Sequence, residues 1–458
     1  MSRTTRTSKI AVGGILAVAA SLVAGDVLAQ DLPPLPTPTP PVAPTSPNLR
    51  PELSGRSLER GDTVLSRPRP ELDPLGVHLG PFFLYPRVVL DELYNDNIFA
   101  TATNTRHDFI TVVSPSAQLL SNWSQHQIDL RAGASVGTYA RTSSENYGDY
   151  FVSGNGRYDI SRYLYGYGGA RYDHLHEERD SPDTTVGTTK PVEFDVYQAN
   201  VGIAQNGLRI GYDASLGFRR EEYSDTPGAG GVTVIESGRD LNTFTGAVRL
   251  NYEIFPRYQA FVRGEVNHRE YDNTGGIFGP SRNSNGGRAD AGVTIDITGV
   301  TFAEVFAGYI VQEYENDAFS NIQGVDFGGR VVWNPTQLTT VTFLADRRVQ
   351  DTNTAALNSQ GAPANSPGYL RSDAGVTVDH ELFRNLLLNV RLNYENDDYK
   401  GIDRTDNRYD IGAGARYFIN RNIYLGASYT YTKRDSSGTS KLDNFDRNLF
   451  LIRLGAQI

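Results

Sequence analysis

From residue 82 onward, apolar and polar side chains alternate with period two. Ile128, Leu130, Ala132, Ala134, Val136, Thr138 and Ala140 fall on one face. Asp129, Arg131, Gly133, Ser135, Gly137, Tyr139 and Arg141 fall on the other. Successive side chains of a strand project to opposite sides, so this alternation predicts a β-strand. It is longer than the five or six residues usual in soluble strands. The pattern recurs at Leu208–Phe218, Phe244–Tyr252, Ala303–Val311, Leu386–Tyr394 and Ile423–Tyr431, each with an apolar set opposed by a polar one.

Two kinds of connection alternate between these strands. Short turns are expected near Asn122-Trp123, Ser161-Arg162, Asn206-Gly207, Phe255-Pro256-Arg257, Thr298-Gly299, Asn334-Pro335, Phe383-Arg384 and Asn420-Arg421. Asn206-Gly207 is the strongest hairpin signal, because type I′ turns need positive φ at both central residues. Longer polar connections lie near 95–107, 141–149, 173–191, 223–240, 271–287, 314–324, 349–369, 396–405 and 434–446. Nine long loops and eight short turns give about 18 strands, with 16 as the alternative count. The expected fold is an all-β, transmembrane, antiparallel up-and-down barrel over residues 82–458, with short periplasmic turns and long external loops.

Charge parity decides between this barrel and a soluble sandwich. The face opposite the apolar one carries Arg131, Arg157, Arg171, Arg209, Arg249, Arg263, Arg330, Arg391, Arg416 and Arg453. Asp129, Asp213, Glu265 and Glu304 share it. All are expected to line a lumen. The apolar face is also full of small residues such as Ala and Gly, and no larger aliphatic core accompanies it, as a packed sandwich would need. A lipid-facing surface needs only to be apolar, whereas a basic residue there costs about 2–4 kcal/mol at the bilayer midplane.

The N-terminal segment reads differently. Arg3, Arg6 and Lys9 precede an apolar stretch, Ile10 to Ala24, and Val27-Leu28-Ala29 has small residues at the −3 and −1 sites. Residues 1–29 are therefore expected to be a cleaved secretory signal. Residues 30–81 are expected to be a disordered, Pro-rich periplasmic linker, because prolines such as Pro33, Pro34, Pro36, Pro38, Pro40 and Pro41 favour extended polyproline geometry.

Composition narrows the chemistry. The chain has 458 residues and no Cys, which excludes disulfides, thiolate metal sites and a Cys nucleophile. A net charge of −10 argues against a nucleic-acid partner. A mean hydropathy of −0.41 argues against a helical membrane protein. The last strand carries Phe450, Ile452, Leu454, Ala456 and Ile458 in one parity. This resembles the C-terminal signal read by the barrel-assembly machinery, with Ile458 where an aromatic is usual.

The first barrel strand, Pro86-Arg87-Val88-Val89-Leu90 running into Tyr94-Asn95-Asp96-Asn97-Ile98-Phe99, carries a family resemblance. With the repeated hairpins and terminal strand, residues 82–458 resemble the proteobacterial putative β-barrel porins, group two. The resemblance implies a Gram-negative outer-membrane protein in contact with lipid and lipopolysaccharide. For some members it implies a link to exopolysaccharide export components. It brings no catalytic residues.

No constellation points to catalysis, a cofactor or a metal. His174-x-His176 sits at a strand-to-loop transition with no further ligand pattern, and His126, His268 and His380 lack a supporting nucleophile. Clusters such as Tyr94-Asn95-Asp96-Asn97 and Tyr394-Glu395-Asn396-Asp397-Asp398 read as solvated rims. The expected function is therefore a porin-like channel for small solutes or an exported polysaccharide, not an enzyme. The alternative is a closed structural barrel whose long loops bind partners, and loop 349–369 is the one expected to fold inward.

Overall fold

In the computed structural model, residues 62–458 are described apart from 186, 276–278, 298, 353 and 358–362. The expected signal and most of the Pro-rich stretch lie outside the described residues. Eighteen antiparallel strands form one closed barrel, so the count of 16 falls. β1 (Phe82–Asn95), β2 (Asp108–Ser121), β3 (Gln127–Tyr139), β4 (Tyr147–Asp159), β5 (Leu164–His176) and β6 (Glu193–Gln205) are successive neighbours. β7 (Ile210–Tyr223), β8 (Leu241–Phe255), β9 (Tyr258–Tyr271), β10 (Ser284–Ile297), β11 (Thr301–Tyr314) and β12 (Ile322–Thr336) continue the wall. β13 (Thr339–Asp351), β14 (Gly368–Phe383), β15 (Leu386–Tyr399), β16 (Thr405–Phe418), β17 (Ile423–Ser437) and β18 (Phe445–Gln457) complete it. β1 then pairs with β18 from Arg87–Gln457 to Asn95–Leu449, which leaves no open edge.

Two turns differ from expectation. The chain reverses between β12 and β13 at 337–338, not at Asn334-Pro335. Pro335 has no N–H for the ladder, and the register slips between Trp333 and Thr336 to accommodate it. The connection at Asn206-Gly207 spans four residues, and only Gly207 has positive φ, so it is not a two-residue type I′ turn.

The outer face is apolar and banded. Tyr158, Tyr252, Trp333, Phe383 and Tyr417 lie exposed near the short-turn ends of their strands. Phe109, Tyr150, Tyr197, Tyr394 and Tyr409 lie exposed toward the long-loop ends. On β4 and β16 the two belts are eight residues apart, about 27 Å along the strand. A strand tilt of about 40° shortens that to roughly 20 Å of bilayer depth, close to the usual apolar band. Outer-face charges such as Arg220, Glu222, Lys433 and Asp435 sit at the external ends and pair with one another or with loop residues: Arg220 with Asp272 at 2.8 Å, Lys433 with Asp435 at 2.7 Å. Between the belts, Val201 on β6 is 59% exposed and registers with Gly168 and Leu216. Val201→Arg is expected to destabilise the inserted barrel by about 2–4 kcal/mol, read by urea titration of protein folded in vesicles.

Residues 62–76 are not the free linker expected from their prolines. Val64 and Leu72 are buried against Leu387, Phe418 and Tyr424, which are inward-facing positions at the periplasmic end of β15, β16 and β17. The Val64 N–H donates to Thr340 Oγ1 at 2.9 Å. Arg69 donates to Glu381 at 2.8 Å, with only 4% and 5% of the two side chains exposed. The segment thus enters the barrel mouth and packs on its wall. Removing one partner of such a buried pair costs about 3–5 kcal/mol. Glu381→Gln is expected to release the segment while the barrel persists, with exchange of the Val64 amide hydrogen accelerated about a hundredfold or more.

Candidate functional site in the barrel interior and external mouth

A strand places residues i and i+2 on the same face. Along the interior wall this period puts an acid beside each of several arginines. Arg131 meets Asp129 at 2.7 Å and Arg157 meets Asp159 at 2.7 Å. Arg171 donates to Asp173 at 2.7 Å and Arg219 meets Glu221 at 2.6 Å. Other pairs cross between strands: Arg249 with Glu304, Arg263 with Asp290 and Arg453 with Asp91, each at 2.7 Å. Aromatic rings support the guanidinium planes, as where Arg249 lies 3.8 Å over Phe261 and Arg157 4.0 Å over Tyr165. Such planar, forked donors lose little freedom per bond formed, so the pairs hold a fixed geometry that lysine would not.

The remaining sequence candidates fall into four groups. Asp213 accepts from the Tyr167 hydroxyl at 2.8 Å, and Glu265 registers opposite Arg288. Arg330 registers opposite Glu304, Arg391 opposite Gly412, and Arg416 lies 5.6 Å over Tyr424, all from inward positions. Arg209 departs from its expected place. It precedes the first residue of β7, is exposed, and reaches over Tyr252 on the outer face at 5.2 Å. Alternation past the strand's end misassigned it, because the turn breaks the period. Phe450, Ile452, Leu454 and Ile458 are exposed on the outer side of the chain's last strand, and Ala456 shares that parity.

Reading arginines one at a time missed several members of the network. Arg288 pairs with Asp326 at 2.7 Å, and Arg371 with Asp397 at 2.6 Å. Arg404 pairs with Asp406 at 2.5 Å, and Arg408 with Asp410 at 3.1 Å. The i,i+2 spacing of Arg404-x-Asp406 and Arg408-x-Asp410 was the available signal.

The external mouth is occupied by its own loops. The loop 177–192 leaves β5 and β6 and reaches the far wall, where Asp180 lies 3.0 Å from Arg408 and 2.9 Å from Arg447. Arg404 donates to the Pro182 carbonyl at 3.4 Å, and Arg434 to the Asp180 carbonyl at 3.3 Å. Burial pushes the Asp180 carboxyl up, but Arg447, Arg408 and Arg434 outweigh it and hold the group below the usual carboxylate range. Neighbouring loops brace this crossing. Arg179 meets Glu145, and Arg239 meets Glu177, both at 2.7 Å.

A second intrusion comes from β13 and β14. The β12–β13 register stops at Gly329–Ala345, well short of the external ends. Beyond it, Val349 and Leu370 bury themselves with Ile310, Tyr314, Phe319 and Ile322, on the inner side of β11 and β12. The hairpin therefore leaves the wall and leans into the barrel. Arg269 fixes it through Asp351 at 2.7 Å, and Arg282 donates to the Thr352 carbonyl at 2.6 Å. The two intrusions meet, since the Thr352 hydroxyl donates to Asp183. Burial pushes the Asp183 carboxyl up, against the pull of Arg239 and the Thr352 bond. The inward lean of Val349, Asp351 and Thr352 agrees with the expectation for loop 349–369.

The histidines are satisfied locally. His174 meets Asp195 at 2.8 Å, and His176 meets Asp149 at 2.9 Å and stacks on Tyr147 at 3.8 Å. Among the described residues no group of three or more metal-ligating side chains converges.

Residues 69–458 match the family model described as "Putative beta-barrel porin 2". A comparison with curated proteins gives no match. Among solved structures, the siderophore receptor PiuA from Acinetobacter baumannii is similar at 9% identity and a TM-score of 0.46, with 82% of each chain covered. The outer membrane protein OpdK from Pseudomonas aeruginosa is similar at 12% identity and a TM-score of 0.43, covering 82% of this chain and 99% of that one. Values this low carry no functional argument.

Proposed function

Because the chain belongs to the putative β-barrel porin 2 family of outer-membrane β-barrels, we propose that it is a channel for passive passage of small polar solutes, normally held closed. An 18-strand barrel is wide enough to leave an aqueous interior unless something fills it. The observation that carries the reading is the Arg–acid wall from Asp91–Arg453 round to Arg371–Asp397. A barrel that served only as a scaffold could fill its inside with apolar side chains at less desolvation cost. Arg131, Arg157, Arg171, Arg249, Arg263, Arg330, Arg391, Arg416 and Arg453, with Asp129, Asp213, Glu265 and Glu304, line the solute path. Arg209, which lies over Tyr252 on the outer face, is not part of that path.

The crossing loops favour a second reading, a barrel closed for good whose external surface binds partners. Export of a polysaccharide also requires these loops to move aside, since Asp180 and Thr352 stand in the mouth. Planar-bilayer recording separates the readings. The channel reading expects low conductance from the intact protein and a large rise when the loops are trimmed. A folded, trimmed barrel that passes no ions at any voltage would sink it. The outer face of β18 is the surface we propose for the barrel-assembly machinery, and the aromatic belts are the surface for lipid and lipopolysaccharide.

A further inference from the structure

We propose that the arginine pocket holding Asp180 is a binding site for a small monocarboxylate, which the protein's own loop occupies until such a solute displaces it from outside. The inference deepens the channel reading, because this pocket stands in the mouth through which solutes would enter.

The two halves of the site are built differently. Arg408, Arg434 and Arg447 come from β16, β17 and β18, three adjacent strands of the closed wall. Asp180 comes from the loop between β5 and β6, on the other side of the barrel. Arg408 and Arg447 both approach the same Asp180 oxygen, Oδ2, and no part of the carboxylate is exposed. The receptor is therefore a fixed wall, and its occupant is a tethered carboxylate.

That occupant fits by charge more than by geometry. Neither Asp180 oxygen receives a well-directed hydrogen bond, although both are buried. Arg408 Nη2, Arg434 Nε and Arg447 Nε are also buried without a hydrogen-bond partner among the described residues. Guanidinium groups bind carboxylates best through two parallel N–H···O bonds. Asp180, tethered to its loop, makes none of them. A free carboxylate carries no such restraint and can satisfy the donors that Asp180 leaves over.

The surrounding charges select a monoanion. Glu395, Asp397 and Asp406 line the same pocket as Asp180. Arg404 and Arg408 already have Asp406 and Asp410 as partners. Removing Asp180 therefore leaves only a small positive surplus, centred on Arg434 and Arg447. One carboxylate balances it, whereas a phosphate dianion adds charge that the neighbouring acids repel.

Asp180 acts as an internal competitor at an effective concentration in the millimolar range or above, so removing it should tighten binding about tenfold or more. The test is calorimetric titration of sodium glucuronate into the purified full chain in detergent. Asp180→Asn should bind glucuronate about tenfold or more tightly than the intact protein. A variant with residues 178–184 replaced by a Gly-Ser linker should bind as tightly, which covers the case where the Asn side chain still fills the pocket. Arg447→Gln in that linker variant should abolish binding, while glucose should not bind and inorganic phosphate should bind more weakly. Equal affinity in the intact protein and both variants would overturn the proposal. So would binding that survives Arg447→Gln, or phosphate binding tighter than glucuronate. No current is measured, so failure here is distinct from failure of the channel reading.

Discussion

Removing residues 178–184 together with 349–370, the latter bridged by a two-residue glycine turn, turns the protein into an open pore, with bilayer conductance at least an order of magnitude above that of the intact chain. The effect is large because each intrusion is pinned to the wall independently. Asp180 is held by Arg408 and Arg447, and the β13–β14 hairpin by Arg269 and by its own apolar cluster. Trimming one loop leaves the other in the mouth, so single deletions should each open the barrel only partly. The barrel should still close, since the β13–β14 pairing from Thr339–His380 to Arg348–Arg371 is kept. The folded state is checked by heat-modified gel mobility and the current by single-channel recording. A double deletion that is folded yet no more conductive than the intact protein would mean that the obstruction lies elsewhere, the segment 62–76 being the next element to remove.

The second large effect exploits a chain with no cysteine. Thr352 and Asp183 belong to the two intruding elements and touch through a side-chain hydrogen bond. That contact keeps their Cα atoms within about 8 Å of each other, so a small adjustment of either loop reaches the roughly 4.4–6.8 Å that a disulfide needs. Asp183→Cys with Thr352→Cys should therefore form a single crosslink under mild oxidation, with no competing thiol. The oxidised protein should stay shut under every voltage applied. Addition of reductant to the same bilayer should restore whatever opening the loops permit. An oxidised variant, crosslinked by gel shift but conducting as freely as its reduced form, would show that separation of the loops is not what opens the path.

Much of this architecture was legible in the sequence, for a specific reason. Where Ile128 to Ala140 alternates without interruption, one face must meet lipid and the other must not, and period two carries that demand directly. The same parity put Arg131, Arg249, Arg263 and Arg453 inward. It could not place Arg209, which lies beyond the end of regular structure. Nor could it show Asp180 or Thr352, whose positions depend on where a long loop lands across the barrel. Val64 and Leu72 were hidden by the prolines around them, since two apolar residues in an aperiodic stretch give no signal. The departure of β13 from β12 was equally hidden: Val349 and Leu370 keep the pattern of ordinary strands, and only their burial against Ile322 reveals that the hairpin has left the wall.

The seam between the first and last strands also sets the order of events during folding. Every other strand pairing joins segments adjacent along the chain, so hairpins can form early and quickly. The Asp91–Arg453 bond joins residues 362 positions apart and must wait for the final strand to arrive. Until then the sheet has two bare edges, at β1 and β18, each able to recruit a strand from another molecule. Loop-closure entropy makes such distant pairings slow. Closing that seam is therefore the step at which this protein is most exposed to aggregation, and the step that gains most from help.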